Sequence, residues 1–199
     1  MKKKFGKLIN GAIKYAPYPL VDGDSVIYTQ DANIYKNHGW KPIERSECPV
    51  TEKLYYTESW HEDEDKIYNT WVVDVEATKA AKIDEIAAYD DSTAVNEFTI
   101  NGISTWLKGD SKRLQLRSAA EVFQKDGKPA YPLCLPSVGV IQIAPDLLLS
   151  MLDAIEDYAI TCYEVTFRHK EAVMALTDPQ EIVDYDYTQG YPAKLSFDI

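Results

Sequence analysis

Residues Val75–Asp90 read VEATKAAKIDEIAAYD, and the reading of this stretch decides the fold. Ala77, Ala80, Ala81, Ile83, Ile86 and Ala87 recur at helical spacing with charges between them, the pattern of an amphipathic helix. The sequence before it is patterned for strands. KFGKLINGAIKYAP (Lys4–Pro17) reads as strand, two-residue turn, strand, because Asn10-Gly11 accepts the positive φ of a type I′ turn. Asp22-Gly23-Asp24 marks a second turn. TQDANIYKNHGW is a short helix capped by Thr29 or Asp31 and ended by Gly39. LYYTESW and KIYNTWVVDV are two strands around the acidic loop HEDED, most simply a solvated hairpin tip.

After the helix the chain alternates. VNEFTINGISTWLKGD repeats the Asn-Gly turn at Asn101-Gly102. SKRLQLRSAAEVFQKDG is a helix with Asp110 as its N-cap and Asp126-Gly127 as its stop. YPLCLP and VGVIQIA are two more paired strands. The chain closes with a helical turn and a final strand. A boundary near Val75 follows, and the fold class is α+β. Residues 1–75 form a small β-rich unit; residues 76–199 form an α+β unit with two β-hairpins and one long C-terminal helix. The surroundings of the two Asn-Gly turns are unrelated, so the turns reflect common turn chemistry and not a duplication.

The long helix is PDLLLSMLDAIEDYAITCYEVTFRHKEAVMALT, with Pro145 at a tolerated start and Pro179 just beyond its end. Leu148, Leu152, Ile155, Ala159, Cys162, Thr166, His169, Val173 and Leu176 form one stripe, large and apolar at its ends and small or polar in the middle. As a straight rod the segment spans about 50 Å. A unit of its size has a radius of gyration of about 14 Å. Either the helix breaks near Thr161–Thr166, or one end projects and packs on a partner.

Bulk composition narrows the function. The chain has 199 residues, 45% hydrophobic, with 32 acids against 21 bases and a net charge of −11. That balance argues against nucleic acid and against an anionic membrane surface as partners. The three cysteines, Cys48, Cys134 and Cys162, make no disulfide framework. The basic start MKKK lacks the apolar run of a leader, and no window has the length of a membrane span. The expectation is synthesis and folding in a reducing cytoplasm.

Catalytic signatures are thin. His38, His61 and His169 stand in no metal-ligand spacing, and phosphate-loop, GxSxG and CxxC patterns are missing from the sequence. His61 with Glu62, Asp63, Glu64 and Asp65 departs from the EF-hand pattern. Cys162 and His169 share a face, but seven residues separate them by about 10.5 Å along the axis, too far for a dyad. Cys48 has only Arg45 as a basic neighbour. The chain is therefore read as non-enzymatic, with no catalytic residue, metal ligand or cofactor assigned. Tyrosine and tryptophan are abundant instead, 14 and four. Tyr55, Tyr56, Trp60, Tyr68 and Trp71 fall within one hairpin. They are either cross-strand packing, with Trp60 and Trp71 on the core side, or a contact surface for protein or sugar.

Several of these stretches together resemble a known group. VNEFTINGIST, an acid at Asp110 opening the middle helix, and a hairpin feeding a helix of the type LLxMLxAIExYAxxCYxxTxxHKxAVxAL are similar to an uncharacterised phage domain. That domain occurs in tail-fibre-assembly-type proteins and prophage tail genes of gut Bacteroidetes. The YDYTxGYPxKL tail resembles the same group. The stretch FGKLINGAIKYAPYPL, with YYTESW and TWVV, resembles the head that precedes it. The family has no assigned catalytic residues, so none is carried over. The resemblance implies a phage tail component made in the bacterial host cytoplasm and carried in the virion tail. It would be a structural subunit of the fibre or baseplate region or a fibre-assembly chaperone. The Tyr and Trp platforms, with acidic hydrogen-bond partners, add a third reading, a glycan-binding module at the tail tip. The expected partners are tail or tail-fibre proteins, with self-association as a further option. The contact residues singled out are Tyr55, Tyr56, Cys162, Thr166, His169 and Val173.

Overall fold

The computed structural model describes residues 4–107 and 109–199, with Asp110 described by its backbone only. Helices make up 40% and strands 27%, the strands in several small sheets, so the fold is mixed α+β. The chain divides into two compact units, Met1–Thr78 and Lys79–Ile199.

The N-terminal unit contains β1 (Phe5–Ile9), β2 (Ala12–Tyr15), β3 (Leu20–Asp22), β4 (Ser25–Ile27), α1 (Ala32–Asn37), β5 (Lys41–Glu44), β6 (Tyr56–Glu62) and β7 (Ile67–Val73). Five of these strands form one sheet in the order β2-β1-β5-β7-β6, and β3 and β4 pair separately. Asn10 and Gly11 have φ of 51° and 77°, the type I′ combination. Of the two candidate caps of α1, Asp31 does the capping: its carboxylate accepts the Asn33 N–H at 2.9 Å. Thr29 Oγ1 instead accepts the Asp31 N–H. Strand β5 has no counterpart in the sequence reading. It is four residues long, contains Pro42, and is held between β1 and β7, the latter in parallel. The acidic loop is more than a solvated tip. Asp63 accepts the N–H groups of Asp65 and Lys66, both at 2.8 Å. Lys41 pairs with Glu62 and Lys36 with Asp65.

Trp60 faces Asn69 and Glu58 faces Trp71 across the β6–β7 ladder. Trp60 and Trp71 therefore share a face with buried Ile67 and Asn69. Both ends of the Asn69 amide are hydrogen-bonded there. Its oxygen accepts from the N–H and hydroxyl of Ser46, and its nitrogen donates to Ser46 O and to Glu58. A buried amide without partners would be costly; this one ties the strand pair to the segment after β5.

Helix α2 (Val75–Asp90) opens on Asp74, whose carboxylate accepts the Ala77 N–H at 2.9 Å. The division between the units falls in its first turn. The C-terminal unit continues with α3 (Thr93–Asn96), β8 (Glu97–Ile100), β9 (Ile103–Trp106), α4 (Asp110–Lys125), β10 (Tyr131–Leu135), β11 (Gly139–Ile143), α5 (Pro145–Ala175), α6 (Pro179–Asp184) and β12 (Ser196–Phe197). The second Asn-Gly turn repeats the first, with φ of 50° and 78°. Here the asparagine also holds the chain end: Asn101 exchanges two hydrogen bonds with Ile199, both 2.9 Å. Strand β12 lies parallel to β8. The cap of α4 differs from the expectation. Gly109, not Asp110, occupies the N-cap position, with φ of 90° that a residue bearing a Cβ avoids.

The long helix neither breaks nor projects bare. It runs unbroken for 31 residues and is covered by different elements along its length. Its N-terminal half carries Leu148, Met151, Leu152 and Ile155 into a core shared with β8, α4, β10 and β11. Helix α4 lies antiparallel to it, tied by Arg113–Glu156, Arg117–Asp153 and Gln124–Asp146. Its C-terminal half lies against α2, also antiparallel: Lys79 Nζ donates to Met174 O at 3.0 Å, and Thr166 reaches Asp90. A spherical estimate of the unit's size missed this because a second long helix lies alongside the first.

Candidate protein-contact sites

The stripe singled out on α5 turns inward. Cys162, Thr166 and Val173 are buried, and His169 is half-buried. Thr166 has one proton, which its hydroxyl donates to Asp90 at 2.9 Å; it therefore accepts from the Tyr191 hydroxyl at 2.8 Å. His169 Nε2 lies 2.9 Å from Gln189 O, an acceptor only, so this nitrogen carries the proton. In the neutral ring Nδ1 then accepts from Tyr185 OH at 2.9 Å. The imidazole also stacks on Tyr191 and meets Tyr185 edge-on.

These bonds fasten the segment Tyr185–Tyr191 onto the helix. Asp186 shapes that segment, accepting the hydroxyl and N–H of Thr188. The same donors hold its carboxyl below the usual carboxylate range. Burial raises the Tyr185 and Tyr191 hydroxyls and the Cys162 thiol. A thiol raised in this way is a poor nucleophile. The small and polar middle of the stripe thus serves the chain's own tail, and Cys162, Thr166 and Val173 are not presented to a partner.

A second face of the same helix, about a third of a turn round from the stripe, is apolar as well. Ile160, Tyr163 and Phe167 are 60%, 69% and 53% exposed, and Met174 continues the row. Their spacing of 3, 4 and 7 residues places them on one face over about 21 Å of helix. Asp157, Glu164 and Glu171 lie beside the row, also exposed, and Arg168 pairs with Glu164 one turn away. The sequence carries this signal, since apolar residues fall on two faces of the helix, but the longer stripe dominates the pattern.

In the N-terminal unit, Tyr55 and Tyr56 have separate roles. Tyr55 is exposed and its backbone is fixed, the N–H to Thr78 Oγ1 and the C=O to the Asp74 N–H. Tyr56 is half-buried, with its hydroxyl 2.9 Å from Thr51. The larger aromatic surface lies elsewhere. Tyr15, Tyr18, Val21, Val26 and Tyr28 are all exposed, and Val21 faces Val26 across the β3–β4 ladder. A cavity of about 440 Å³ opens beside them, lined by Phe5, Tyr15, Ala16, Tyr18 and Tyr35 with Lys4. Among the described residues no group of three His, Cys, Asp or Glu side chains gathers as a metal site. No described helix is long and apolar enough to cross a membrane. No family model, curated protein or solved structure matches this chain.

Proposed function

We propose that the protein is a non-enzymatic phage tail component, a structural subunit of the fibre or baseplate region that acts by contact with other polypeptides. It is made in the host cytoplasm and resides in the tail. The observation that carries this reading is the outward row Ile160, Tyr163, Phe167 and Met174. Scattered apolar residues on a surface are ordinary, but a contiguous row on one rigid helix is the form in which helices dock into partners. The tail setting comes from the resemblance of the long-helix and YDYTQGYPAKL segments.

Mass spectrometry of purified particles tests it. A structural subunit is retained in stoichiometric amount. A protein found only in infected cells, with fibres misassembled on its deletion, is the assembly chaperone instead. Intact infectious particles formed without it overturn both. A Tyr163→Ser/Phe167→Ser variant is expected to fold normally and to be lost from particles.

A further inference from the structure

We propose that the open edge of β2, with the cavity at its end, receives an extended acidic segment of a different polypeptide, which adds to the sheet as a strand and seats one large apolar side chain. The inference rests on the protein-contact reading above. It names a second surface and the chemistry of what fits there.

The argument starts from the hairpin register. β1 and β2 pair Gly6↔Tyr15, Lys7↔Lys14, Leu8↔Ile13 and Ile9↔Ala12, and the Ala16 N–H reaches Phe5 O at 2.8 Å. In an antiparallel pair, hydrogen-bonded and non-hydrogen-bonded positions alternate. The residues of β2 bonded to β1 are therefore Ala12, Lys14 and Ala16. The backbone groups of Ile13 and Tyr15 point the other way. β2 is the last strand of its sheet among the described residues, so that outward edge is a template for another strand. β9 ends its own sheet similarly. What marks β2 is what adjoins it.

Two features do. The first is the cavity, to which β2 contributes Tyr15 and to which Ala16 just beyond it also belongs. Phe5 and Tyr35, stacked with ring centroids 4.2 Å apart, form part of its wall. A strand paired with Tyr15 would carry a side chain directly to this space. Its volume of about 440 Å³ is in the range of a ligand pocket.

The second feature is charge. Lys7 and Lys14 face each other across the ladder, an arrangement that costs stability when both are cations. Lys4 lies over the Tyr15 ring and Lys7 over Trp40. These lysines concentrate positive charge on one hairpin of a chain whose net charge is −11. An incoming strand with Asp or Glu opposite Lys14 relieves the repulsion. A second copy of this chain does the reverse, setting Lys14 near its counterpart, since edge lysines discourage like-with-like pairing. The occupant is therefore a different chain.

Selection of a displayed random dodecapeptide library on the intact protein tests this, followed by fluorescence anisotropy with the selected peptides and amide hydrogen exchange. The expected ligands are acidic, alternate polar with apolar residues, and slow exchange at Ile13 and Tyr15. Lys14→Glu weakens them at least tenfold. Ile13→Pro, which removes an outward N–H and no ladder bond, does the same while far-UV circular dichroism stays unchanged; if it does not stay unchanged, Lys14→Glu alone decides. Peptides that bind equally to these variants, or a library that enriches nothing over Lys14→Glu, overturn the proposal. So does a panel of oligosaccharides that perturbs Tyr18 where peptides do not. Peptides lost only with Phe167→Ser overturn the edge site and leave the protein-contact reading standing.

Discussion

The hairpins β1–β2 and β8–β9 have the same turn and different fates. Both close on Asn-Gly with nearly identical φ values, and both leave their second strand at a sheet edge. Among the described residues of the C-terminal unit, Phe98 and Ile100 of β8 enter a core cluster of eleven buried residues. Among those of the N-terminal unit, Phe5 of β1 enters a cluster of three, with Leu20 and Tyr35. The difference teaches that turn chemistry builds a hairpin, whereas the elements packed on it decide whether its first strand enters a large core or a small one. Tyr15, Tyr18, Val21, Val26 and Tyr28 are among the apolar residues exposed beside the smaller core. Beside the larger one, the row on α5 is exposed, and so are Ile103, Leu114, Val122 and Val140.

Substitutions sharpen or break this contrast, and the largest effect belongs to the large core. Leu148→Ala, at a fully buried position, is expected to cost about 2–5 kcal/mol by urea unfolding. A cost under 1 kcal/mol would mean that the cluster around α5 is loosely packed. Thr166→Val removes the donor to Asp90 and the acceptor for Tyr191, both in a half-buried setting. The expected loss is about 1–3 kcal/mol, with faster amide exchange in Tyr185–Tyr191. Unchanged exchange there would show that the tail is held without this bond.

The turns themselves should respond alike. A Cβ on Gly11 or Gly102 meets nothing within 4 Å, so only the positive φ opposes it. Gly11→Ala and Gly102→Ala are each expected to cost about 1 kcal/mol. Unequal costs would mean that the Asn101–Ile199 clamp adds strain or support that the first hairpin lacks. The smallest change is expected from Val26→Ala, within about 0.5 kcal/mol, because the side chain is already in water.

Acid tests the tail from another direction. The folded-state carboxyl of Asp186 is depressed by the Thr188 donors. Its contribution is present above the unfolded-state value and disappears as pH falls through the folded-state value. Below that range Asp186→Asn and the parent protein should show the same exchange in Tyr185–Tyr191, and at neutral pH the parent should be better protected.

Much of the fold was legible from local chemistry. The Asn-Gly turns, the helices at Val75 and Pro145 and the pairing of β10 with β11 each rest on residues that are neighbours in sequence; the sequence narrows the cap of α1 to Thr29 or Asp31, and the structure selects Asp31. β5 was not legible, because four residues containing a proline become a strand only between β1 and β7. The N-cap at Gly109 was missed because an acid next to it fits the same rule.

The shared face on α5 was legible, and what covers it was not. Residues 162, 166, 169 and 173 were correctly grouped on one face, but spacing alone does not say what covers a face.

The sequence by itself determined that this is an α+β chain with two type I′ hairpins and a long helix, because turn residues and hydrophobic period act over a few neighbouring residues. Only the tertiary structure decided which side of that helix is spoken for. The bonds from Thr166 and His169 join residues 25 and 20 positions apart, and that from Thr166 to Asp90 spans 76. Such pairings are fixed by how elements pack, which the local pattern does not encode.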